Sequence, residues 1–197
     1  QKGGVGQGVA LADGHGKRSL TIGVTAVIGV PTDGTREEAR MSHIVVVGAG
    51  QAGQQICATL RGEGFDGRLT LIGAETHPPY QRPPLSKGYL LGEMTRERLF
   101  LKPESWYADH GIDLRLGHPA SGIDAKAKTL RLGDEVIAWD QLAIATGLEA
   151  RPLPAEAGGD LGGVFTVRTL DDVDRMEAPL KDARRVLVVG GGYIGLE

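Results

Sequence analysis

The 197 residues are 41% apolar and 24% charged, with 31 glycines and a formal net charge of -3. That slight acidity argues against a nucleic-acid partner, whose phosphates select a basic surface. The one cysteine, Cys57, excludes an intrachain disulfide and a Cys-rich zinc or iron–sulfur site, and points to a reducing, cytoplasmic setting.

The first 40 residues are crowded with glycine and carry neither helical nor strand period. Gly14-His15-Gly16-Lys17-Arg18 imitates a phosphate loop. It fails as one, because Leu11 stands where glycine is needed and Arg18 replaces the Ser or Thr that would hold magnesium. Leu20 to Pro31 is apolar but far shorter than the roughly 20 residues needed to cross a bilayer, so no membrane partner is expected. Residues 1–40 are expected to be an extension outside the fold, with Met41 as the natural start and a small ordered arm as the alternative.

From Met41 the pattern becomes regular. His43 to Val47 is a continuous apolar run closed by Gly48, as in a strand buried on both faces of a parallel sheet. Gln51 to Arg61 predicts a helix ended by Gly62 and Gly64, and Arg68 to Ile72 a second buried strand, which completes a βαβ unit. A proline-rich loop from Pro78 to Pro84 leads to a short helix near Leu85. Glu104 to His110 predicts a helix with Pro103 at its start. Ile112 to Leu116, Lys128 to Leu132 and Glu135 to Ala138 read as short strands, and Gln141 to Ala145 as another buried one. Leu170 to Leu180 is a polar helix, and Arg185 to Val189 a buried strand running into Gly190. The fold class is α/β: a Rossmann-like domain with a parallel sheet and a small antiparallel β insertion over 41–180, then the start of a second Rossmann domain over 181–197.

Gly48-Ala49-Gly50-Gln51-Ala52-Gly53 is a GxGxxG between a strand and a helix. Gly48 permits the tight turn, Gly50 lets backbone approach a pyrophosphate, and Gly53 lets the helix pack on the sheet. The helix start then offers free N–H groups and a positive dipole end. Glu75, just past the second strand, is placed to accept from ribose hydroxyls, which Ala74 cannot do. Gly190-Gly191-Gly192-Tyr193-Ile194-Gly195 repeats the motif, with Gly190, Gly192, Tyr193, Ile194 and Gly195 as candidate contacts of a second dinucleotide. Two such motifs serve hydride transfer between nicotinamide and flavin, which needs both held face to face. The chain reaches Glu197 before the second unit forms its helix or next strand, so it is expected to be the N-terminal part of a longer protein.

Four runs carry a family resemblance: Pro79-Tyr80-Gln81-Arg82-Pro83-Pro84-Leu85-Ser86-Lys87, Ala145-Thr146-Gly147, Arg168-Thr169-Leu170-Asp171-Asp172, and Gly190 to Glu197. From about Met41 onward the chain resembles the FAD-dependent ferredoxin reductases of the putidaredoxin, rhodocoxin and rubredoxin reductase type. These belong to the pyridine nucleotide-disulfide oxidoreductase superfamily. The resemblance implies FAD and NAD(P)H as cofactors, with NADH favoured, and a ferredoxin-like iron–sulfur protein as electron acceptor. It places Gln51 and Ala52 in the pyrophosphate loop, Glu75 at the adenosine ribose, and Arg82, Lys87 and Arg168 at FAD. The Ala120 backbone falls at the adenine, and Ala145, Thr146 and Gly147 near the flavin phosphates. Members of the family often carry two acids after the second strand, and this chain has only Glu75. The family also completes its FAD domain with a later chain segment, so the resemblance implies weak FAD binding by these 197 residues alone.

The same resemblance sets Lys87 beside flavin, ion-paired with Glu197, as the candidate catalytic pair. A cation there stabilises the negative charge of reduced flavin, and its carboxylate offsets the cost of burying it. Disulfide reductases carry two redox cysteines near this point, and the run Pro83 to Lys87 has none, so electrons are expected to leave flavin directly for an external acceptor. A monodehydroascorbate or rubredoxin reductase, or a redox-sensing flavoprotein resembling apoptosis-inducing factor, would use the same motifs. The five histidines show no zinc-like spacing. Cys57, Trp106 and Tyr107 read as packed residues, and Trp139 as packing at the start of its strand.

Overall fold

The computed structural model describes residues 10–12 and 41–197. In chain order its strands are β1 (Ala10–Ala12), β2 (His43–Val47), β3 (Arg68–Ile72), β4 (Ile112–Arg115), β5 (Ala120–Asp124), β6 (Thr129–Leu132), β7 (Glu135–Ala138) and β8 (Gln141–Ile144). Its helices are α1 (Gln51–Gly62), α2 (Arg96–Leu99), α3 (Glu104–Asp109), α4 (Leu170–Asp182) and α5 (Tyr193–Leu196), with 3-10 turns at Pro83–Ser86 and Ala155–Ala157. Gly14 to Arg18 and Leu20 to Pro31 lie outside the described residues. Two compact units divide the chain: one holds the described residues up to Tyr80 together with Leu101–Gly147, the other Gln81–Phe100 with Leu148–Glu197.

In the first unit a five-stranded sheet runs in the order β1-β8-β2-β3-β4. β2 is parallel to β3 on one side and to β8 on the other, and β4 is parallel to β3. All five residues of β2 are buried, because its alternate side chains feed two different cores. Ile44 and Val46 join Ile56, Cys57 and Leu60 of α1 and Tyr107 of α3 on one face. Val45 and Val47 join Leu130, Leu132, Ile137 and Trp139 on the other. That second layer is the antiparallel sheet β5-β6-β7. Each fully buried Leu or Ile among these contributes about 1.5–3 kcal/mol, which is why the apolar run is unbroken rather than alternating. Ala10–Ala12 pair antiparallel with β8, Ala10 opposite Ile144, so three residues of the segment expected outside the fold extend the sheet.

Two polar devices fasten this unit. His43 lies almost fully buried, its backbone N–H donating to Asp140 Oδ2 at 2.7 Å. Its Nδ1 is 2.8 Å from the Ala138 carbonyl oxygen, which can only accept, so Nδ1 carries the proton; Nε2 then accepts from the Thr70 hydroxyl at 2.9 Å. Arg61 donates to four carbonyls, those of Phe65, Gly67, His110 and Gly111, and ties the end of α1 to the turns that follow α1 and α3.

The second unit is built on α4. Thr169 caps it: the hydroxyl accepts from the Asp172 N–H at 3.1 Å, and the Asp172 carboxylate accepts from the Thr169 N–H at 2.8 Å. This reciprocal box is worth about 1 kcal/mol. It also takes the Arg168 N–H at 3.2 Å. Asp174, two residues on from Asp172, accepts from the Tyr89 hydroxyl at 2.6 Å and pairs with Arg96 of α2. The expected buried strand Arg185 to Val189 is a correction: it has no ladder partner among the described residues, and Leu187 is 86% exposed.

Candidate functional site

In the first unit the loop from Gly48 to Gly53 joins β2 to α1 with a geometry that only glycine permits at two positions. Gly48 has φ +115°, and a Cβ there would lie 2.2 Å from the Ala145 carbonyl oxygen. A Cβ on Gly53 would lie 1.9 Å from the Gly48 carbonyl oxygen, so the first turn of α1 is pressed onto the loop. Gly50 is different: a Cβ there would meet nothing within 4 Å. It is the N-cap of α1, no side chain caps the helix, and the first turn holds no acid. The turn is thus closed against the sheet and open outward at Gly50, which fits a pyrophosphate meeting the first-turn N–H groups. Gln51 is exposed and Ala52 half-buried beside it.

Glu75 is half-buried, and its Oε2 accepts from the hydroxyl of buried Tyr80 at 2.5 Å. Its backbone carbonyl takes the Gly117 N–H at 2.9 Å, which pins the loop after β3. Ala145 donates its N–H to the Val47 carbonyl at 2.7 Å, and Thr146 and Gly147 follow it exposed. Ala145 and Thr146 therefore leave β8 against the Gly48 turn. Ala120 begins β5, exposed and opposite Leu132, next to a β-bulge.

In the second unit Arg82 donates through Nη1 to the Arg168 carbonyl at 2.7 Å, and Arg168 donates through Nε to the Leu148 carbonyl at 2.8 Å. Lys87 Nζ lies 3.0 Å from Glu197 Oε1. The two side chains are 55% and 32% exposed. The other oxygen, Glu197 Oε2, accepts from the Ser86 hydroxyl at 2.7 Å. The Ser86 hydrogen bond first, then the Lys87 ammonium, hold the Glu197 carboxyl below the usual carboxylate range. Gly190 repeats the conformation of Gly48 with φ +107°, and a Cβ on Gly195 would lie 2.6 Å from the Gly190 carbonyl oxygen. Gly192 caps α5, and Tyr193 and Ile194 are exposed.

The sequence argument passed over Tyr80 and Ser86 as contacts, although both stood in the quoted run. A hydroxyl's partner depends on which carboxylate folds back to it. Among the described residues no group of three or more His, Cys, Asp or Glu could hold a metal, and no helix is long and apolar enough to cross a membrane.

A glycine turn closed on a parallel sheet, with its motif repeated downstream, defines a two-motif dinucleotide-binding α/β protein. The chain belongs to the pyridine nucleotide-disulphide oxidoreductase family, whose match covers residues 42–197. It is 42% identical over 155 residues to rhodocoxin reductase of Rhodococcus erythropolis, a match covering 78% of this chain and 36% of that protein. To rubredoxin-NAD(+) reductase of Pseudomonas putida it is 41% identical over 155 residues, 78% of this chain and 40% of that protein. The solved covalent putidaredoxin reductase–putidaredoxin complex aligns with a TM-score of 0.74 at 37% identity, over 79% of this chain and 38% of that one. The chain thus spans well under half the length of the relatives it matches.

Proposed function

We propose that the protein takes electrons from NAD(P)H, with NADH favoured, and passes them by way of FAD to a ferredoxin-like iron–sulfur protein. The Gly48 turn carries this reading: it is shaped by contacts that exclude side chains at Gly48 and Gly53 and is open at Gly50. The relatives named rhodocoxin reductase and rubredoxin-NAD(+) reductase support it. Bound FAD would supply the conversion between a two-electron donor and a one-electron acceptor.

The chain's own residues hold and tune. Gly48, Gly50, Gln51, Ala52 and Gly53 present backbone to the pyrophosphate, while Ala145, Thr146 and Gly147 border the same turn. Glu75, oriented by Tyr80, accepts a ribose hydroxyl, and the Ala120 backbone meets the adenine. In the second unit Arg82 and Arg168 supply donors, and Lys87, paired with Glu197, supplies a cation to offset negative charge on the reduced cofactor. The Gly190 turn, with Gly192, Tyr193, Ile194 and Gly195, begins the berth for the nicotinamide dinucleotide. Cys57, buried and unpaired, fits the cytoplasm.

The test is made on the protein purified at its natural length. Expected are a bound-flavin absorption spectrum, bleaching by NADH, and cytochrome c reduction that depends on added ferredoxin, with rubredoxin as the rival acceptor. A protein that takes up no flavin when supplied with it would end the reading. Faster turnover with rubredoxin than with any ferredoxin would change the acceptor.

A further inference from the structure

We propose that Ser86 is a positioning residue for the Lys87–Glu197 pair, fixing the Glu197 carboxylate so that it presents one oxygen to the Lys87 ammonium. The inference rests on the proposed role of that pair. It goes beyond that role by assigning a third member whose work is to hold the other two. A glutamate carboxylate has two oxygens and three side-chain torsions, so a single contact to a mobile lysine leaves its direction loose. Here both oxygens are engaged: Oε1 faces Lys87 Nζ at 3.0 Å, and Oε2 accepts from Ser86 Oγ at 2.7 Å.

The two donors come from adjacent residues. Ser86 closes the 3-10 turn Pro83–Ser86, and Lys87 is its C-cap, with a backbone N–H that bonds the Pro84 carbonyl. Leu85 of that turn is buried, 2% exposed. The serine is therefore the rigid donor of the two, on a turn fixed by two prolines and a buried leucine, whereas the lysine is a long chain that is 55% exposed. A hydroxyl to a carboxylate is also the short, charge-assisted kind of hydrogen bond. From the other side the carboxylate is carried by the turn of α5, where the Glu197 N–H bonds the Tyr193 carbonyl at 3.1 Å. Among the described residues, the charged group facing this carboxylate is Lys87 and the polar one is Ser86.

The experiment follows the Glu197 carboxyl by carbon-13 NMR in the natural-length protein, its signal assigned with Glu197→Gln. The variants are Ser86→Ala and Ser86→Thr, each checked by circular dichroism and flavin content against wild type. Expected is an upward shift of the Glu197 titration in Ser86→Ala, returning toward wild type in Ser86→Thr, which restores the hydroxyl. The acid limb of NADH-driven flavin reduction should move to higher pH in Ser86→Ala alone. A Glu197 titration unchanged in Ser86→Ala would overturn the proposal. Lys87→Ala and Glu197→Gln, assayed beside them, separate the two levels. If both reduce flavin at the wild-type rate, the pair has no part in the reaction, whatever Ser86 does to the carboxylate.

Discussion

Gly48 and Gly50 stand two residues apart in one motif, yet the structure assigns them different work, and alanine at each separates the two. At Gly48 an alanine must adopt φ +115°, where an L-residue is strained by about 1–2 kcal/mol. Its Cβ also falls 2.2 Å from the Ala145 oxygen and 2.8 Å from the Thr146 nitrogen. Those are backbone atoms at the end of β8 and cannot rotate away, so overpacking adds about 1–3 kcal/mol more. The sum is a loss of about 2–5 kcal/mol. At Gly50 the backbone is extended, with φ -99°, and the space is open. Only the weaker N-cap preference of alanine applies, at most about 1 kcal/mol. Urea unfolding followed by circular dichroism measures both, and a flavin titration of the natural-length protein should show Gly50→Ala losing at least about tenfold in affinity, which is 1.4 kcal/mol. Equal destabilisation by the two variants would refute the argument that Gly50 is kept small for a ligand rather than for packing.

Three further outcomes are expected. Burial above all, with Arg68 nearby, holds the His43 imidazole below its ordinary value against the Ala138 carbonyl, Asp140 and Asp113. Because the folded value is the depressed one, its contribution to stability is complete above the unfolded pKa of about 6.5 and is lost as pH falls through the folded value. Urea midpoints should therefore drop on acidification, and less so in His43→Gln. Burial pushes the Cys57 thiol up to about 12, so a thiol reagent at about pH 8 should label it only after denaturation; stoichiometric labelling of the folded protein would contradict this. The Tyr107 hydroxyl is buried without a hydrogen-bond partner among the described residues, so Tyr107→Phe should gain about 1 kcal/mol in urea unfolding, and a loss of that size would reveal a hidden partner.

The first βαβ unit was legible because its signals are local and agree with one another. The apolar run His43–Val47, the glycine spacing and the run Arg68–Ile72 each specify a conformation without reference to the rest of the chain. Helix α4 was legible for the same reason, since its Thr169–Asp172 cap is written within four residues. Other elements exist only through a partner. All of β5 is exposed and lacks an apolar alternation, and pairing with β6 alone makes it a strand. β1 likewise is set by β8. The run Arg185–Val189 shows the converse, a strand-like sequence without a ladder among the described residues.

Sequence by itself determined the shape of both glycine turns: Gly48 and Gly190 reach nearly the same positive φ, although only the first leaves a paired strand. Each turn also carries one contact that is local in the chain: a Cβ on Gly53 would meet the Gly48 carbonyl oxygen, and a Cβ on Gly195 the Gly190 carbonyl oxygen. Tertiary structure alone decided which polar groups meet. Arg82 finding the Arg168 carbonyl, and Ser86 with Lys87 dividing the two oxygens of Glu197, require segments brought together by folding. A hydrogen bond needs its partner within about 3 Å, and no spacing along the chain states that distance.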